Sequence, residues 1–293
     1  MARFPATSGF RSGLSWRISA LFRPFRGRVN LALGAVLIGT VVLSALLSFV
    51  WLPYDPNVID FGARLAPPSA EHWLGTDHFG RDLLSRLMVG ARATLYVGLI
   101  AVGIALGLGG LIGAASGYIG GVLDELLMRV ADVLYAFPPI LLAILLAAIY
   151  RPGTLTAMVA IGIATIPVFA RLMRSSVLTL KERDFVEAGR ALGASGGRVL
   201  WRHILPSALS PILVQASLSL AIAILAEAAL SFLGLGTPPR VPSWGNMLRE
   251  AQSFMALSPY PAMAPGLAIV VTVLGWSLLG DGLRDALDPQ SRR

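Results

Sequence analysis

The chain has 293 residues, 55% of them hydrophobic and 14% charged, with a mean hydropathy of +0.72. That is too apolar for a soluble protein of this size, and the composition reads as a multi-span membrane protein. The formal net charge of +8 does not point to nucleic acid: the basic residues lie in loops beside apolar blocks, where topology and anionic lipid account for them. The absence of cysteine excludes disulfides, iron–sulfur ligation and cysteine nucleophiles.

Residues 1–30 carry six arginines and no acid and read as a basic cytoplasmic tail. The apolar block 31–52 is long enough to cross about 30 Å of hydrocarbon at about 1.5 Å per residue. It also exceeds the core of a cleaved signal peptide, about 7–15 residues. Residues 53–90 form a polar connection whose acids (Asp55, Asp60, Glu71, Asp77, Asp82) outnumber its arginines, and it is predicted to be external. His72 and His78 lie within it and read as surface residues rather than metal ligands.

A core region, 91–285, follows. Its predicted spans are 94–116, 126–149 interrupted by Pro138-Pro139, 155–173 with Pro167, 212–230 and 263–279, and residues 286–293 form a second cytoplasmic tail. Glycines at 103 and 107, and at 109, 113 and 117, recur at four-residue spacing and predict close helix packing. Asp124, Glu125, Arg129 and Asp132 read as pairs along one helix. Residues 231–248 are rich in glycine and proline, with Trp244 expected as an interfacial anchor. Six spans place both termini on one side, together with the loop after the fourth span. Seventeen of the 24 Lys and Arg residues then share that side, so the positive-inside rule assigns it to the cytoplasm.

That loop, Lys181 to Pro211, is the one long polar and basic stretch between apolar blocks. Phe185, Ala188, Gly189 and Leu192 fall at i, i+3, i+4 and i+7, giving a helix face whose middle carries almost no side chain. Gly193 is placed to end this helix, and Pro206 and Pro211 sit where a second one would begin. The pattern Glu187-Ala188-Gly189, three residues, Gly193, then Leu205-Pro206 resembles the EAA loop of ABC importer permeases. The run Arg202 to Pro206, with His203, is similar to the dipeptide, oligopeptide and nickel branch of that family. So are His72 to Arg86, Ser231 to Leu248 and Gly280 to Pro289.

The resemblance implies an all-α membrane protein of six transmembrane helices, type I ABC importer permease-like, with a cytoplasmic helix-turn-helix coupling loop at about 181–206. Asp184, Phe185, Glu187, Ala188, Gly189, Leu192, Gly193, His203, Leu205 and Pro206 would form that ATPase-coupling loop. The implied partners are a homologous second permease subunit, two ATP-binding subunits and an external solute-binding protein, periplasmic or lipid-anchored. The setting would be a bacterial or archaeal cytoplasmic membrane, and the solute a peptide or nickel. No cofactor, metal or catalytic residue is expected in this chain. ATP and Mg would be used by partner subunits, since the only lysine, Lys181, lacks the glycines of a phosphate-binding loop.

Two other classes remain open at this level. Gly193 to Gly197 matches the G-x-S-x-G nucleophile elbow around Ser195, but that motif needs a strand-to-helix turn and a histidine in reach. A passive channel or structural membrane component would lack an ATPase partner. Glu227, an acid inside the fifth span, is expected to face the bundle, either hydrogen-bonded to a neighbouring loop or lining the pathway.

Overall fold

The computed structural model describes residues 13–287, with side chains from Val29 onward. The ends of the two predicted tails, 1–12 and 288–293, lie outside the described residues. Helices are α1 (Gly13–Leu47), α2 (Leu83–Ile119), α3 (Gly121–Ala136), α4 (Pro139–Tyr150), α5 (Thr154–Leu180), α6 (Asp184–Ala191), α7 (Gly196–Val199), α8 (Leu205–Phe232), α9 (Trp244–Gln252) and α10 (Tyr260–Leu287). Among the described residues, five stretches are long and apolar enough to cross a membrane. The pair α3 and α4 is long and apolar enough for a sixth crossing when taken together, and it is bent by 87° where Pro138 and Pro139 deny the helix its backbone donors.

Several predicted boundaries move. The first span's helix stops at Leu47 rather than residue 52. The external connection ends at Asp82 rather than residue 90, because the Asp82 carboxylate accepts from the Ser85 backbone N–H at 2.8 Å and starts α2 there. The fourth span continues to Leu180. α8 starts at Leu205, so Pro206 stands in its first turn, while Pro211 lies inside the helix. It is entered from α7 through a π turn, Leu200–Ile204, whose closing bond runs from Leu205 N–H to Leu200 C=O. The wider turn lets the chain pass into Pro206 without a tight carbonyl behind its ring.

Two close helix seams organise the bundle. α2 meets α5 along Gly109, Gly113 and Gly117. A methyl added at Gly109 would lie 2.6 Å from the Ile166 carbonyl oxygen, and one at Gly117 would lie 2.9 Å from that of Arg174. Gly103 and Gly107, predicted to pack in the same way, have nothing within 4 Å of an added methyl. α1 meets α10 through Gly34, Gly275 and Gly282, where Leu279 N and Leu31 N would stand 2.6 Å from methyls on Gly34 and Gly282. Both seams bring backbones within dispersion range.

The end of the bundle where α2 starts carries the 53–82 connection and α9. Trp244 is not an interfacial anchor. It is 2% exposed, lies against Gly90, and donates Nε1–H to the Leu87 carbonyl at 3.0 Å. His72 and His78 are half-buried rather than surface residues. His72 Nδ1 lies 3.0 Å from Asp82 Oδ1, and His78 stacks on Phe254 with ring centroids 4.8 Å apart. Burial pushes the His78 imidazole below its usual range, which keeps the ring neutral at pH 7.

Candidate functional site

At the other end of the bundle, α5 passes through Lys181–Arg183 into α6. Asp184 and Glu187 lie in its first turn, where the unsatisfied N–H groups favour negative charge. Gly193, at φ +81°, ends the helix: its N–H bonds to Arg190 C=O at 2.9 Å and the Ala194 N–H to Gly189 C=O at 3.1 Å. These two bonds define the Schellman turn that a left-handed glycine permits. α7 and the π turn return the chain to α8. The predicted helix, turn and helix are present, with the second helix beginning ten residues earlier than Pro206.

The unit is pinned to the bundle by residues the sequence pattern did not single out. Val186, Val199 and Ile204 are fully buried, in the same apolar cluster as Val177 of α5 and Ala208 of α8. Lys181 Nζ donates to the Gly117 carbonyl at 3.2 Å, and Tyr118 sits beside Gly196. Their only sequence signal is spacing: Val186 is the lone β-branched apolar residue of α6, and Val199 and Ile204 are five apart, which matches the π turn rather than an α-helix.

What this packing leaves outside is the predicted face. Phe185, Glu187, Ala188, Leu192, Gly193 and Pro206 are exposed; Gly189, His203 and Leu205 are half-buried. Leu192 is 90% exposed and Trp201, on the π turn, 65%. A large apolar residue left open beside charged Asp184, Glu187 and Arg190 is a poor lipid face and a costly water face, the pattern of a protein-binding surface. Gly189 faces His203, whose ring would lie 3.9 Å from an added methyl. The small face therefore has room above Gly189, with the imidazole as its nearest neighbour.

Ser195 precedes α7 with an exposed side chain that makes no capping bond. It stands in a turn between helices, and no strand element occurs among the described residues. The nucleophile-elbow geometry is absent.

Glu227 lies far from this surface, in α8, and is 0% exposed. Its Oε1 accepts from Ser231 Oγ at 2.7 Å and from Thr237 Oγ1 at 3.2 Å. Ser231 Oγ in turn accepts from the Thr237 N–H at 2.9 Å, and Asn246 Nδ2 of α9 donates to the Thr237 carbonyl at 2.8 Å. The acid thus ties α8 to the 233–243 loop and, through it, to α9. Glu227→Gln, which keeps the acceptor, is expected to assemble and transport substantially. Glu227→Leu strands two buried hydroxyls at about 1–3 kcal/mol each and should lower the yield of folded protein in detergent. Equal yields for the two variants would show that the acceptor holds nothing.

Asp77, His78 and Glu250 bring possible ligand atoms within 4.8 Å of one another. The place a cation would take is held by guanidinium groups. Arg81 reaches Asp77 Oδ2 at 2.6 Å and Glu250 Oε2 at 2.5 Å, and Arg86 reaches Glu250 Oε2 at 3.0 Å. Two cations on two carboxylates make a neutral cluster that clamps α9 to the start of α2. The acids of α3 are likewise not all paired along their own helix. Glu125 and Arg129 are, but Asp124 is gripped by Arg174 of α5 at 2.6 and 2.7 Å, and Asp132 by Arg171 at 2.8 Å.

Comparison with known proteins agrees with this geometry. Residues 109–293 match the family described as binding-protein-dependent transport system inner membrane component. The chain is 42% identical over 277 residues to the dipeptide transport system permease protein DppC of Alkalihalophilus pseudofirmus, covering 94% of this chain and 90% of that one. It is 45% identical over 261 residues to the glutathione transport system permease protein GsiD of Pectobacterium atrosepticum, covering 87% of each. To the protein of the same name from Escherichia coli it is 45% identical over 271 residues, covering 92% of this chain and 89% of that one. Among solved structures, a chain of the MetNI methionine ABC transporter in an inward-facing conformation superposes with a TM-score of 0.55 at 19% identity. That match covers 69% of this chain and 96% of the other.

Proposed function

Because the chain belongs to the binding-protein-dependent transport system inner membrane component family, we propose that the surface of α6, α7 and the π turn is where an ATP-binding subunit docks. The chain is a multi-pass permease subunit of an ABC importer, not an enzyme in its own right. Its transported solute is a short peptide. The relatives named for dipeptide and glutathione support this class, and they lend no support to nickel. The observation that carries the docking reading is the exposed apolar pair Leu192 and Trp201 on a unit whose other side is locked into the core by Val186, Val199 and Ile204. A rigid ledge of this kind passes movement of a partner into α5 and α8, the two helices it joins.

A full importer on this reading contains a second, homologous permease subunit, two ATP-binding subunits that handle ATP and Mg, and an external binding protein. The chain lies in a bacterial or archaeal cytoplasmic membrane with both termini and the docking ledge in the cytoplasm, as the distribution of basic residues supports. A topology reporter fused after Arg64 should be active outside, and one fused after Gly197 inside. The chain should also copurify with an ATP-binding subunit. A Gly197 fusion active only outside would remove the orientation and the docking surface together, and a chain that transports with no ATPase would be a passive channel.

A further inference from the structure

α3 has a surface that packing within this chain does not explain. Ala131 is its only buried residue. One strip, with Asp124 and Ala131, packs towards α5. A second strip, about 100° round the helix, carries Glu125, Arg129 and Asp132 at i, i+4 and i+7, all exposed. A third, about 100° further, carries Val122, Leu126, Val130 and Val133, each more than half exposed. A helix meeting lipid all round would not carry the polar strip, and one meeting water all round would not carry the apolar strip. α3 therefore stands at a boundary between water and an apolar medium.

The polar strip continues onto α5. Arg171 donates to Asp132 at 2.8 Å, and its guanidinium lies 4.3 Å over the ring of Tyr135. The pair stays open: the Arg171 side chain is 43% accessible and that of Asp132 58%. Asp132 lies six residues inside the predicted span 126–149, roughly 9 Å along its helix, and Arg171 two residues inside the end of the predicted span 155–173. An accessible ion pair at that depth is not stable against hydrocarbon and needs water on its open side. The neighbouring pair differs. Asp124 receives two bonds from Arg174 and one from Ser116 Oγ, so its acceptors are used in holding α3 to α5 and α2. Asp132 and Arg171 share a single hydrogen bond and keep further acceptors and donors free.

We propose that the strip Glu125, Arg129 and Asp132, with Arg171, is a wall of the aqueous route through this subunit, and that the Asp132–Arg171 pair opens to receive the carboxylate and ammonium of a zwitterionic solute. This rests on the permease reading above. A peptide with free ends carries one group of each sign. Its carboxylate takes the guanidinium, its ammonium takes the released Asp132, and no charge is left unpaired in the passage.

The chain's lack of cysteine supplies the test. In the complete importer, Asp132→Cys is exposed to a membrane-impermeant cationic thiosulfonate and its modification read on this subunit alone. It should react from the outside in the vanadate-trapped state and from the cytoplasmic side in the ATP-free state, whereas Val130→Cys should resist in both. Reaction only from the cytoplasm in both states would overturn the wall. Asp132→Asn and Arg171→Gln, which keep a hydrogen-bonded pair, should each lower dipeptide moved per ATP hydrolysed by about tenfold, the effect of losing one charge-assisted bond. Transport and ATPase falling in proportion, or neither falling, would overturn the recognition step. If the wild-type importer takes up no dipeptide on ATP, the functional reading has failed instead, and the labelling arm still judges the wall.

Discussion

Gly189→Trp should insert into the membrane at the normal level and yet lose its ATP-binding subunit on purification, with transport falling at least about tenfold. Within this chain the substitution meets little. The first atoms that a methyl added at Gly189 reaches are those of the His203 ring at 3.9 Å. The anchors Val186, Val199 and Ile204 point the other way and keep their packing. Folding is therefore preserved, and the effect appears only when another surface must approach the small face. A displacement of about 1 Å between interdigitated surfaces already forfeits a quarter to a half of each contact it opens. Glu187→Ala should act in the same direction and more mildly, since one exposed carboxylate in a first helical turn contributes about 0.3–1 kcal/mol. Pull-down of the ATP-binding subunit with uptake measured in the same membranes is the check. Full retention of both by both variants would dismiss α6 as the docking element.

The larger structural effect is expected inside the bundle, at Gly113. A methyl there would meet Met173 Cβ at 2.8 Å and the Ala170 carbonyl oxygen closer still. Neither can move aside, since one is part of a helix backbone and the other is fixed to it. Gly113→Leu must push α2 away from α5 along their whole seam, an overpacking cost of about 3 kcal/mol or more, and should leave little protein that survives detergent extraction as a monodisperse species. At Gly103, in the same helix and also in a four-residue glycine pair, an added methyl meets nothing within 4 Å and the position is exposed, so Gly103→Leu has room for its side chain. It should change thermal stability in detergent by no more than about 0.5 kcal/mol. Comparable behaviour of the two would mean that α2 does not pack on α5 through Gly113.

The contrast between these two glycines also marks the limit of reading small-residue spacing. The interval of four places residues on one face of a helix, but Gly103 and Gly107 lie on a face without a neighbour, and Gly109, Gly113 and Gly117 lie on the face that meets α5. Spacing specifies a stripe; which helix covers it depends on the path of the chain elsewhere. Trp244 has the same lesson. An aromatic residue in a loop rich in glycine and proline is a sound candidate for a membrane interface, yet here Gly90 leaves room on α2 for the indole and the Leu87 carbonyl accepts its N–H. Asp124 and Asp132 follow suit, with partners on α5 more than 35 residues away.

By itself the sequence determined that the chain crosses a membrane several times, since apolar runs of sufficient length have no other stable setting. It also determined the small-faced helix at Phe185–Leu192 and its stop at Gly193, because both are local: helical spacing and a single residue able to take φ near +81°. The buried setting of Glu227 was legible as well, from the cost of a charge in lipid. Only the tertiary structure decided what those features meet. The closure of Glu227 by Ser231 and Thr237, the π turn that carries the chain through Pro206, the anchors beneath the exposed face of α6 and the open Asp132–Arg171 pair all arise where distant segments come within a few ångströms. Hydrogen bonds and close packing act only at that range, and no local pattern states which segments will share it.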